Sequence, residues 1–153
     1  MTSPSQQVQP AESIGPLKIF NVEDNAADID LFRLALNKTQ VPVEFSIATD
    51  GEEALNLLKL LAPSLSPHLI ILDLNLPRKN GLQTLQELKQ TDLLKAIPVL
   101  VFTTSNEAAQ IELCYSLGAA AYIVKPVDFH DFVSLVQKIC DFWSEAEFAQ
   151  KRN

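Results

Sequence analysis

The sequence predicts a doubly wound α/β domain, one parallel sheet with helices on both faces. Three observations carry this. Five short apolar runs alternate with longer stretches of helical period. The third and fourth runs are apolar without a break, as strands covered on both faces are. Helix-start residues follow the ends of several runs.

The predicted strands are Leu17 to Val22, Val43 to Ala48, Leu69 to Leu72, Ile97 to Phe102 and Ala120 to Val124. The first helix is signalled by Asp24 and Asn25, and the second by Asp50-Gly51. The fourth is signalled by Thr104, with Glu107 as the far half of a capping box. The last helix is read from Phe129, Phe132, Val133, Val136, Ile139, Cys140 and Trp143, which recur at three- and four-residue spacing. Asn21 interrupts a strand that should be central, so its amide is expected to be hydrogen-bonded or near the strand end. The connection Ala62 to His68, APSLSPH, is long for a helix-to-strand loop and is expected on the surface.

The chain of 153 residues suits one domain at 17–143, preceded by a flexible tail at 1–16. Residues 144–153 are expected to lengthen the last helix or form a short tail, so that output falls to protein binding. An apolar fraction of 47%, a charged fraction of 20% and only four glycines describe a packed globular protein. Twelve Lys and Arg against nineteen Asp and Glu give a net charge of −7, with no basic stripe, which disfavours direct nucleic-acid binding. The start lacks a basic region followed by an apolar run, so it does not read as a secretory signal. No apolar run is long enough to cross a bilayer. Two cysteines, Cys114 and Cys140, make no disulfide framework and fit a reducing, cytoplasmic setting.

In an open parallel sheet, ligands gather beyond the carboxyl ends of the strands. The residues at those ends are Glu23 and Asp24, Asp73, Thr103 and Lys125. Carboxylates about 5 Å apart repel by about 3 kcal/mol per pair at an effective dielectric near 20, so a cation is expected among them. Oxygen-only ligands with no nearby His or Cys suit Mg²⁺. Asp24 alone also reads as a cap for the first helix. Asp73 closes a buried strand and reads as a nucleophile toward phosphorus, or as a turn residue satisfying backbone donors. Lys125 can pair first with the resting acids and then with a phosphoryl oxygen; taken singly it also reads as a solvated lysine. Thr103 offers a hydroxyl to the same group, or is a plain strand-end threonine, and Thr104 reads as a helix cap.

Taken together, Val22-Glu23-Asp24-Asn25, Asp73-Leu74-Asn75-Leu76-Pro77 with Gly81, Thr103, and Tyr122-Ile123-Val124-Lys125-Pro126 resemble the receiver domain of two-component response regulators. Asp73 stands 30 residues before Thr103, and Thr103 stands 22 before Lys125. The resemblance implies a flavodoxin-like sheet with strand order 2-1-3-4-5. It implies that Asp73 accepts phosphate from a phosphohistidine, and that Glu23, Asp24, Asp73 and the Asn75 carbonyl arrange Mg²⁺. Thr103 and Lys125 would sense the phosphoryl group, Tyr122 would report it, and the Lys125-Pro126 bond would be cis. On this reading the chain is a phosphoacceptor rather than a turnover enzyme.

The long connection before Asp73, the run Leu-Asn-Leu-Pro-Arg-Lys-Asn-Gly after it, and Phe142-Trp143 after the last helix look similar to the stand-alone receivers that serve phytochrome-type sensor histidine kinases. Phe142 and Trp143 are candidates for a homodimer contact, or for a helix end packed on its own sheet. Rival readings differ in chemistry. A flavin-binding electron carrier usually presents hydroxyls and Gly in its first βα loop, where this chain has Glu23-Asp24-Asn25-Ala26. An Asp-nucleophile phosphatase commonly has a second acid two residues on, where this chain has Asn75. A receiver-like interaction module that works without phosphorylation stays open.

Overall fold

A computed structural model describes residues 15–152, and side chains as far as Glu145. Of the expected tail at 1–16, all but Gly15 and Pro16 lies outside the described residues, as does Asn153. The elements run β1 (Leu17–Val22), α1 (Ala26–Leu36), β2 (Val43–Ala48), α2 (Gly51–Leu60), a 3₁₀ turn (Pro63–Leu65), β3 (Leu69–Leu72), α3 (Gly81–Gln90), β4 (Val99–Thr103), α4 (Ala108–Ser116), β5 (Ala121–Val124) and α5 (Phe129–Arg152). All five strands are parallel, in the order β2-β1-β3-β4-β5.

Side-chain alternation divides the interior into two layers. Phe20, Val22, Ile70, Leu72, Val99 and Val101 point to the face covered by α2, α3 and α4, where they meet Leu55, Leu58, Leu85, Leu88 and Cys114. Ile19, Leu69, Ile71, Leu100 and Phe102 point to the other face, against Phe32 of α1 and Phe132, Val136 and Ile139 of α5. Each large apolar side chain so buried contributes about 1.5–3 kcal/mol relative to exposure. β3 is buried throughout, which explains its unbroken LIIL.

Asn21 is satisfied as expected, with Nδ2 donating to the Ile71 carbonyl at 3.1 Å. The Ala62–His68 connection crosses the surface and contains the 3₁₀ turn. It is pinned to β1 from both directions: Lys18 donates from N–H to His68 Nδ1 and from Nζ to the Ser64 carbonyl, and His68 N–H donates back to the Lys18 carbonyl. α5 continues without interruption to Arg152, so residues 144–152 extend the last helix. Among the described residues, no helix is long and apolar enough to cross a membrane.

Two helix starts match the sequence. Asn25 caps α1 by accepting from Asp28 N–H, and Asp50 caps α2 by accepting from Glu53 N–H. The cap of α1 is therefore Asn25 and not Asp24. The third start corrects an expectation: α4 begins at Ala108, its N-cap Glu107 makes no side-chain bond, and Thr104 lies exposed before it. The strand-to-helix segment is longer than the capping-box spacing assumed. Ser105 orders it instead, donating to Gln110 Oε1 and accepting from Glu107 N–H.

Candidate phosphoryl and cation site

Four strand ends converge on one hollow. The ladder bonds run past the strands: Glu23 N–H donates to the Ala48 carbonyl, Asp73 N–H to the Val22 carbonyl, and Lys125 N–H to the Thr103 carbonyl. These backbone bonds fix where the Glu23, Asp73 and Lys125 side chains start. Gly81, at the first turn of α3, adds a close approach. A Cβ there would collide with the Asp73 carbonyl and the Leu74 backbone, so only glycine lets α3 pack directly beneath the segment that follows Asp73.

The centre of the site is the Lys125 ammonium. Nζ donates to Asp73 Oδ2 at 2.9 Å, to Glu23 Oε1 at 2.8 Å and to Asp28 Oδ2 at 2.8 Å. Lys125, Glu23 and Asp73 are buried, whereas the Asp28 side chain is 34% exposed. The other Asp73 oxygen, Oδ1, accepts from Asn75 N–H at 3.1 Å, which fixes the orientation of the carboxylate. Glu23 Oε2 likewise accepts from Asn25 N–H.

Three acids around one ammonium leave an excess of negative charge. Burial, reinforced by the neighbouring Asp73, raises the Glu23 carboxyl from 4.5 to about 7 despite the opposing pull of Lys125. Burial pushes Asp73 upward too, but hydrogen bonds from Lys125, Glu23 and Asn75 N–H outweigh it and hold Asp73 below the usual range. A proton shared between the two acids therefore resides on Glu23, and Asp73 stays an anion. Burial works against the Lys125 charge, yet its three carboxylate partners raise its pKa, so it stays cationic.

Single oxygens of Glu23, Asp28 and Asp73 lie within 4.8 Å of one another. Carboxylate oxygens with no nitrogen or sulfur beside them suit a hard divalent cation, and in this structure all three acids are engaged by the Lys125 ammonium. Asp24 follows Glu23 but is exposed and stands outside that trio. Asn75 is also exposed. Thr103 is fully buried, and its Oγ1 has no hydrogen-bond partner among the described residues. A buried hydroxyl without a partner costs about 1–3 kcal/mol, which an incoming oxyanion would recover.

Tyr122 packs its ring against the core beside α4, and its hydroxyl donates to the Ser105 carbonyl at 2.8 Å. It thus grips the segment just beyond Thr103. The Lys125-Pro126 bond corrects an expectation, because no peptide bond among the described residues is cis. The trans isomer is intrinsically favoured by about 0.5–1 kcal/mol before proline. With it in place the Lys125 N–H and ammonium already reach all their partners, so nothing at the site demands the other isomer. Phe142 is 62% exposed with its ring 4.8 Å from that of Trp143, while Trp143 is partly buried against the α1 and α5 layer.

Three contributors escaped the sequence reading. Asp28 was not singled out, although an acid in the first turn of a helix that starts at the site is the signal for it. Arg78, in the loop after β3, donates from Nε and Nη2 to Asp50 Oδ2 at 3.1 and 2.7 Å. It adopts a positive φ of 58° that no residue pattern announces. Tyr115 Oη accepts from the Tyr122 N–H at 3.0 Å, linking α4 to β5.

Residues 19–137 match the family described as the response regulator receiver domain. Response regulator Rcp1 of Synechocystis sp. is 39% identical over 137 residues, which cover 88% of this chain and 93% of that protein. The crystal structure of the phosphorylated cyanobacterial phytochrome response regulator RcpA is 39% identical with a TM-score of 0.79, covering 86% of this chain and 96% of that one. The Mn²⁺-bound form of Rcp1 is 38% identical with a TM-score of 0.76, covering 84% and 94%.

Proposed function

The chain belongs to the response regulator receiver domain family, and from that premise we propose that it is a single-domain response regulator whose Asp73 accepts a phosphoryl group from a sensor histidine kinase. One observation carries the reading. A buried anionic Asp73 lies on the Lys125 ammonium, with the Thr103 hydroxyl buried and unpartnered at the neighbouring strand end. A lone pair of the Asp73 carboxylate forms the new O–P bond while the N–P bond of the phosphohistidine breaks. Its electron pair returns to the imidazole ring.

The chain's own residues do most of what such a transfer needs. Asn75 N–H holds one Asp73 oxygen in place, and Lys125 keeps the carboxylate ionised. Mg²⁺ is the expected cofactor: Glu23 and Asp73 would hold it, with Asp24 and the Asn75 carbonyl as the further ligands the resemblance implies, and it would supply charge neutralisation for the transferring group. The acyl phosphate then offers oxygens to Lys125 and to the Thr103 hydroxyl. Because Tyr122 holds the Ser105 carbonyl, a shift of Thr103 loads that bond and carries the change to α4 and β5. Only this difference in contacts between the two states can move the equilibrium between them.

The names of the relatives support a phytochrome-type histidine kinase as the partner. The exposed Phe142 beside Trp143 supports a homodimer as the signalling form. The chain acts in the cytoplasm by protein contact, without binding nucleic acid, and turns over no substrate of its own. Incubating the full chain with acetyl phosphate and Mg²⁺, then measuring intact mass and size, tests the reading. One phosphoryl group is expected on the wild type and none on Asp73→Asn, and equal uptake by the variant overturns the acceptor assignment.

A further inference from the structure

An ammonium has three N–H donors and no acceptor. In Lys125 all three are engaged, by Glu23, Asp28 and Asp73. Lys125 can therefore take up a phosphoryl oxygen only by letting a carboxylate go.

The three differ in what release entails. Asp73 gives up its carboxylate charge when the O–P bond forms, and the Glu23 side chain, 4% exposed, has little water to take the place of the ammonium, so of the two acids that remain Asp28 is the one able to let go. Asp28 is 34% exposed and water can take the place of the ammonium. It also sits in the first turn of α1, where the helix N-terminus favours an anion. Its oxygen lies within 4.8 Å of oxygens on both other acids, so it opposes additional negative charge at Asp73.

Resting on the reading of Asp73 as acceptor, we infer that Asp28 is a positioning residue, a latch that holds Lys125 in the resting state and competes with the phosphoryl group for its ammonium. Asp28 acts through Lys125 and through its charge, without touching phosphorus. The length of time Lys125 stays on the phosphoryl group is then set from α1, an element that carries none of the other residues around it.

The test uses the full chain with acetyl phosphate and Mg²⁺ titrated up to saturation, following the phosphorylated fraction by intact mass. Asp28→Asn is expected to raise the ratio of phosphoryl uptake to loss by roughly fivefold, the scale of a partly exposed ion pair. Beryllofluoride with Mg²⁺, followed by calorimetry, should bind Asp28→Asn more tightly by a similar factor. The Mg²⁺ concentration for half-maximal uptake should stay where it is in the wild type. Asp28→Glu, which restores the carboxylate, should bring both values back toward the wild type, a rescue that a merely structural change would not give. Unchanged uptake and loss in Asp28→Asn overturns the latch. Slower uptake with a raised Mg²⁺ requirement also overturns it and makes Asp28 a metal ligand. A wild type that takes up neither phosphoryl group nor beryllofluoride overturns the acceptor reading and this inference with it.

Discussion

Two ion clusters sit at the carboxyl end of the same sheet, and they are built to opposite rules. At Asp50 one carboxylate meets one guanidinium, and the acid also caps α2, so charge and hydrogen bonds close on themselves. The Arg78 side chain is 72% exposed and clamps the loop after β3 from outside. At Lys125 three carboxylates meet one ammonium in a mostly buried hollow, and a neighbouring hydroxyl is left without a partner. The first cluster is complete and holds a loop still. The second is incomplete in charge and in hydrogen bonds, and it is the one beside the proposed acceptor. Imbalance, more than the mere presence of ions, separates the reactive corner from the structural one.

The sharpest way to break that contrast is to remove the central cation. Lys125→Ala leaves three carboxylates facing one another and should lower the unfolding free energy by about 3–5 kcal/mol at pH 8 without divalent ions. Chemical denaturation measures it, and an unchanged midpoint would mean the acids are not held by Lys125.

The next effect comes from pH. The folded state keeps a proton on Glu23 up to about pH 7, whereas the unfolded chain releases it near 4.5. Stability from this group is complete below 4.5 and is lost as pH rises toward 7, by about 2–3 kcal/mol in all. Asp73, shifted the other way, loses its contribution only as pH falls below its ordinary 3.8, outside that window. Metal-free unfolding measured between pH 5 and 8 should therefore slope downward, and Glu23→Gln should flatten the slope. An upward slope in the wild type contradicts the assignment of the proton.

The smallest effects belong to the balanced cluster. Asp50→Ala removes both the α2 cap and the anchor of Arg78, and should lower Tm by several degrees, as ordinary cap losses do. Arg78→Ala removes an exposed partner and leaves the cap intact, so its shift should be the smaller of the two. Thermal unfolding of the pair of variants checks the order, and a reversed order would show that the clamp outweighs the cap.

The residues that could be read in advance are those whose role is local or periodic. Leu69 to Leu72 announced a central strand because both of its faces are covered, and Asn25 and Asp50 announced helices because a cap needs only its own next turn. Glu23, Asp73, Thr103 and Lys125 were legible because parallel strands bring their ends to one side, whereas Asp24, read with them, is exposed and stands outside the clustered oxygens. Asp28 was not, because a first-turn acid is expected on any helix and its meeting with Lys125 depends on how α1 lies across the sheet. Arg78 was hidden by its backbone, since a left-handed arginine has no composition cue and is held there by the distant Asp50. The cap at Thr104 failed because spacing alone cannot tell where an exposed segment ends and a helix begins. The cis bond came with the resemblance, and no residue in the chain compels it.

The bond between Tyr115 and Tyr122 has a bearing on solubility. β5 is the last strand of the sheet, and a bare rim invites another chain to add itself as a sixth strand. The Tyr115 phenol already occupies the outward amide of Tyr122, so a foreign strand arriving there finds its first docking point taken. A half-exposed tyrosine at the end of α4 thereby covers one point on the rim of the sheet.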